Sequence, residues 1–72
     1  MKKTKKIKIK INGKKKSIDN DSYLLELINE LKIPITKVAI EFNREIVDKK
    51  KIKKIKLRNN DVIEIVHFIG GG

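Results

Sequence analysis

The stretch of this chain best suited to chemistry is its last, VHFIGGG, from Val66 to Gly72. An apolar run gives way to Gly70, Gly71 and Gly72, and then to a carboxylate with no side chain near it. Two readings are open: an ordinary frayed terminus, or a terminal acyl group that is itself the working part. Little else in the chain competes for that role. Cysteine is absent, which excludes disulfides, thiolate metal sites and a nucleophilic thiol. His67 is the single histidine and builds no metal site alone, so it reads as a strand residue rather than a catalyst.

Charge offers another route to function. The formal net charge is +10, which invites a nucleic-acid reading. However, Arg44 and Arg58 are the only arginines among 19 basic residues, and arginine is the better fork for phosphates and bases. Stacking platforms are also scarce, being limited to Tyr23, Phe42 and Phe68. Lysine runs such as Lys49 to Lys56 read as solvated faces able to steer an acidic partner, an effect that salt would weaken.

A 72-residue chain is one small domain, 1–72, that buries only about 60% of its unfolded surface. No apolar run approaches the roughly 18 residues of a membrane span. The basic start MKKTKKIKIK is not followed by an apolar stretch of signal-peptide length. A soluble, cytoplasmic protein is the expectation.

The elements that must position the terminus are legible from periodicity. KIKIKIN alternates, placing Ile7, Ile9 and Ile11 on one face and Lys8 and Lys10 on the other. Asn12-Gly13 is a two-residue hairpin signal, and the return strand KKKSI points Ile18 inward. The DNDS segment supplies helix caps at Asp21 or Ser22. Leu24, Leu27, Ile28 and Leu31 then form one stripe at helical spacing, and Pro34 is expected to close the helix. KVAIEFN reads as a strand with Val38, Ile40 and Phe42 on one side, followed by a turn at NRE and a short IV. Ile52 and Ile55 fit one helical turn under the sheet, and Asp61 ends the next turn. VIEIVHFI is the last strand, with Ile63 and Ile65 opposed to Val62, Glu64 and Val66.

The order β-β-α-β-β-β puts one helix against one face of a mixed sheet. The first and last strands carry the strongest inward isoleucines and are expected side by side in the middle. That arrangement is an α+β, β-grasp (ubiquitin-like) fold. It predicts four to five strands packed on one helix, with residues 67–72 as a flexible, extended C-terminal glycine tail.

VAIEFNREIV (38–47), LRNNDVIEIVHFIGGG (57–72) and the helix LLELINEL resemble the ThiS family, the sulfur carrier proteins of thiamine biosynthesis. The resemblance covers nearly the whole chain after the N-terminal lysines, and the terminal diglycine is its most specific element. The family shares fold and tail with the small subunit of molybdopterin synthase. It commonly carries a proline where Asp48 stands and a tryptophan in the connector, where this chain has only lysine and isoleucine.

What the resemblance implies is a carrier and not an enzyme, with no bound cofactor and with ATP as co-substrate of a partner. A ThiF-like adenylating enzyme joins the Gly72 carboxylate to AMP. A sulfur donor such as a cysteine desulfurase converts it to a thiocarboxylate, which a ThiG-like thiazole synthase receives. At about 3.3–3.6 Å per extended residue, His67 to Gly72 would reach on the order of 20 Å into a deep ATP site. Fixing such a tail costs about 1–2 kcal/mol per residue, which docking of the folded body must offset. Val66 and Phe68, alternating with inward Ile65, are expected to be exposed and, with Glu64 and Ile69, to form the docking patch. Two alternatives stay open: a carrier for molybdopterin or another sulfur pathway, and a basic β-grasp module that binds RNA or protein.

Overall fold

A computed structural model describes residues 5–68 of the chain. Five strands form one mixed sheet in the order β2-β1-β5-β3-β4, made from β1 (Lys6–Ile11), β2 (Lys14–Asp19), β3 (Val38–Phe42), β4 (Glu45–Ile46) and β5 (Val62–His67). The helix α1 (Leu24–Glu30) packs on one face. The expected β-grasp is observed, with β1 and β5 adjacent and parallel, Ile11 beside Ile63. Among the described residues, no helix is long and apolar enough to cross a membrane.

The alternating isoleucines of β1 divide as their spacing dictates. Ile7 and Ile9 are buried, while Lys6, Lys8 and Lys10 face solvent. Asn12 and Gly13 join β1 to β2 with φ of 49° and 83°, the two left-handed residues that a tight hairpin of this twist requires. Asn43 (φ 51°) and Arg44 (φ 73°) repeat the device between β3 and β4. The helix contributes Leu24, Leu27 and Ile28 to a core completed by Ile18, Val38, Ile40, Ile52, Leu57, Ile63 and Ile65.

Three details differ from expectation. Neither Asp21 nor Ser22 caps the helix; the cap position is Tyr23, whose N–H donates to Glu26 Oε1 at 2.9 Å. The backbone there is held by residues 55–57: Leu24 N–H donates to Ile55 O, and Leu57 N–H to Ser22 O. Tertiary pairing therefore does what a side-chain cap would otherwise do, and Asp21 instead pairs with Lys56 at 3.2 Å.

The helix also stops before Pro34. Lys32 adopts φ 59°, with Lys32 N–H donating to Asn29 O and Ile33 N–H to Ile28 O. This is the paired hydrogen-bond closure usually built around glycine. Because the helix ends at Glu30, Leu31 falls off the buried stripe and is exposed. Finally, the lysine connector is a six-residue 3-10 segment, Lys49–Lys54, that buries Ile52 and only half-buries Ile55. Asp48 starts it by accepting from Lys50 N–H at 3.0 Å.

Candidate functional site

The strand that leads to the glycines is the middle strand of the sheet. β5 is flanked by β1 on one side and by β3 on the other, with Ile65 opposite Ile40 and His67 opposite Val38. Ile63 is fully buried, because it lies under the helix at the sheet's centre. Side-chain amides extend the ladder where backbone pairing runs out. β1 ends at Ile11, yet Asn12 Oδ1 accepts from Ile65 N–H at 2.8 Å and continues its hold on β5. At the start of β5, Val62 N–H donates to Asn43 Oδ1 at 2.8 Å. Asn43 Nδ2 in turn donates to buried Asp61, which also accepts from Arg58 N–H at 2.7 Å. Past the strand, Phe68 N–H donates to Lys37 O at 3.0 Å. The approach to the terminus is thus anchored at both ends.

β5 alternates, so its even residues emerge on the face opposite the helix. Glu64 and Val66 are exposed there, Val66 by 59%, and Phe68, one residue past β5 and bonded to Lys37 O, is 56% exposed, as the sequence predicts. Their neighbours follow from the register. Ala39 lies beside Val66, Glu41 beside Glu64, and Ile46 beside Glu41. Ile46 is the most exposed large apolar residue of the described chain, at 69%. The ammonium of Lys49 sits 5.4 Å from the centre of the Phe68 ring, within reach of a cation–π attraction.

The open face near the end of β5 therefore carries an apolar strip of Val66, Phe68, Ala39 and Ile46 crossed by the Glu64–Glu41 pair. Sequence reasoning missed Ile46, Ala39 and Lys49 as parts of it. A two-residue strand such as β4 has no periodicity to read, and Lys49 arrives from a segment distant in sequence. His67 sits exposed as the last residue of β5, the strand residue that the sequence suggests, and so lies in the sheet and not in the expected tail of 67–72. Ile69, Gly70, Gly71 and Gly72, the remaining predicted site residues, lie outside the described residues.

An exposed apolar strip crossed by two carboxylates thus lies on the strand that, in sequence, leads to the glycines. Comparison with known proteins identifies the family. The sequence model of the ThiS family matches residues 9–72, and so includes the glycine terminus. The chain belongs to the ThiS family.

Its similarity to individual ThiS proteins runs over almost their whole length. The sulfur carrier protein ThiS of Bacillus subtilis is 35% identical over 65 residues, which are 89% of this chain and 98% of that one. The crystal structure of the thiamine biosynthesis protein ThiS from Geobacter metallireducens superposes with a TM-score of 0.80 at 26% identity. That match covers 92% of this chain and all of the other. A thiazole synthase of Paramagnetospirillum magneticum is 38% identical over 66 residues, but this ThiS-family chain spans only 20% of its length.

Proposed function

We propose that this ThiS-family chain is a sulfur carrier of thiamine biosynthesis that works through a thiocarboxylate at Gly72. The observation that carries the reading is the family match running through Gly72, on a chain whose central strand leads there from an open docking face. The matching segment within a thiazole synthase favours thiazole formation as the destination of the sulfur, over molybdopterin or another pathway.

The chemistry is acyl activation. A carboxylate is a poor electrophile, so one of its oxygens attacks the α-phosphorus of ATP and pyrophosphate leaves, giving an acyl-adenylate. Hydrosulfide attacking the acyl carbon expels AMP and leaves the thiocarboxylate. A donor persulfide gives an acyl disulfide instead, and a thiol must then reduce it to release the same product. Glycine at positions 70–72 suits entry into a narrow site, because no side chain collides with its walls. The activating ATP belongs to a ThiF-like adenylating enzyme, the sulfur to a donor such as a cysteine desulfurase, and the acceptor is a ThiG-like thiazole synthase. The carrier holds no cofactor of its own and performs no catalysis. It works in the cytoplasm, where ATP is at hand.

Intact-mass measurement tests this. After incubation with ATP, the adenylating enzyme and a sulfur donor, the chain should gain the mass of one sulfur less one oxygen, localised to Gly72. Deleting Gly71 and Gly72 should abolish the gain while leaving the fold intact. An unaltered wild-type mass, under conditions that convert a known carrier, would sink the proposal.

A further inference from the structure

The open sheet face is divided by charge. On the β1–β2 half, Lys8 and Lys10 point outward from β1, and Lys15 of β2 stands directly opposite Lys10. Together with Ile9, Asn60 and Val62 they line a shallow groove of about 280 Å³. Among the described residues, none of these three lysines makes an ion pair, whereas Lys6 on the same face is paired with Asp19 at 2.8 Å. Like charges directly opposite each other weaken a strand pair, so the Lys10–Lys15 arrangement works against the hairpin that contains it. Beyond Val62, the neighbour of Lys10, the same face turns to Glu64, Glu41, Val66 and Ile46.

We propose that the Lys8–Lys10–Lys15 groove is a second docking element that seats carboxylates of a partner protein. That partner is the adenylating enzyme whose site receives the chain end, so the proposal rests on the carrier reading for the partner's identity. Two features of the face decide between a protein and a nucleic acid. Adjacent strands are about 4.8 Å apart, so a phosphate backbone laid over Lys10 would meet the uncompensated Glu64–Glu41 pair a strand or two away. A folded protein surface instead places carboxylates over the lysines and apolar or basic groups over the neighbouring strip. Further, the groove has no arginine and no aromatic among its lining residues, hence neither a phosphate fork nor a stacking platform. The lysine half gives orientation and encounter rate, and the apolar strip gives the water-excluded contact.

The test is equilibrium binding of the adenylating enzyme to the full chain, without ATP, at low and high salt. Two triple variants are compared with the wild type: Lys8→Gln with Lys10→Gln and Lys15→Gln, and the same three positions changed to Glu. All three side chains are exposed, so both variants should stay folded, the Gln variant melting slightly above the wild type because the Lys10–Lys15 repulsion is gone. Neutralisation should raise Kd about 10-fold at low salt and reversal should raise it further, with the differences shrinking at high salt as screening grows. Equal Kd values for wild type and variants, or no binding by the wild type, overturn the proposal. So does loss of binding to a random-sequence RNA with Kd for the enzyme unchanged, which would assign the groove to nucleic acid. Normal binding by the wild type without sulfur loading would strike the carrier reading and leave the groove standing.

Discussion

Phe68→Ala separates docking from folding, because the ring is divided between the two. Its residue is 56% exposed, leaving 44% covered by the domain. If complete burial of a phenylalanine is worth about 3 kcal/mol, the covered part contributes about 1.3 kcal/mol to the fold. The Lys49 ammonium over the ring adds about 0.5 kcal/mol at such an exposed site. The variant should therefore lose about 2 kcal/mol of stability, short of the roughly 3–5 kcal/mol typical of a truncated core phenylalanine. The exposed part is what a partner can still cover, worth about 1.7 kcal/mol, or about 15-fold in affinity at about 1.4 kcal/mol per decade. Urea unfolding measures the first quantity, and titration against the adenylating enzyme measures the second. A stability loss above about 4 kcal/mol would make Phe68 a core residue. An affinity within threefold of wild type would remove it from the docking surface.

Two further substitutions probe the supports of β5 and the helix. Asp61→Ala removes the acceptor of Arg58 N–H and of Asn43 Nδ2 in a buried setting, and should cost about 2–4 kcal/mol in urea unfolding. Lys32→Gly relieves a side chain held at φ 59° while keeping the closing hydrogen bonds, and should raise stability by about 1 kcal/mol. A neutral or lower midpoint for that variant would show that the lysine stem makes compensating contacts.

Much of the architecture is legible because it rests on local periods. The KIKIKI alternation, the Asn12-Gly13 turn and the Leu24–Leu27–Ile28 stripe each settle one element, and their order leaves the β-grasp as the arrangement that buries all three. What escapes local reading depends on partners far along the chain. Asp21 and Ser22 are good caps by residue type, yet residues 55–57 hold the helix start through backbone pairing and move the cap to Tyr23. Leu31 continues the helical stripe on paper but is the C-cap, one residue before the left-handed closure at Lys32. The open face divides in the same way. Glu64, Val66 and Phe68 follow from the alternation of one strand, whereas Ile46 and Ala39 join them only through the pairing of β3 with β4 and β5. The three groove lysines share a face by period alone. That Lys10 stands beside Val62 and two strands from Glu41 is a property of strand order.

One physical shortage underlies both the domain's small core and its open face. A single seven-residue helix and a short 3-10 segment cover one side of five strands, and among the described residues no second layer covers the other. In the proposed carrier role, the bare side must remain soluble alone and still attract a partner. Interleaving does both: the Glu64–Glu41 pair divides Val66 from Val62, and Lys10 and Lys15 border the strip on the β1 side. Each like-charged pair weakens the free domain slightly, and that penalty falls only when opposite charge arrives. A surface so arranged favours a partner of complementary mosaic over a uniformly apolar or uniformly anionic one. The central strand carries that selectivity to the chain end, since β5 contributes Val62, Glu64 and Val66 to the face before it leads toward Gly72.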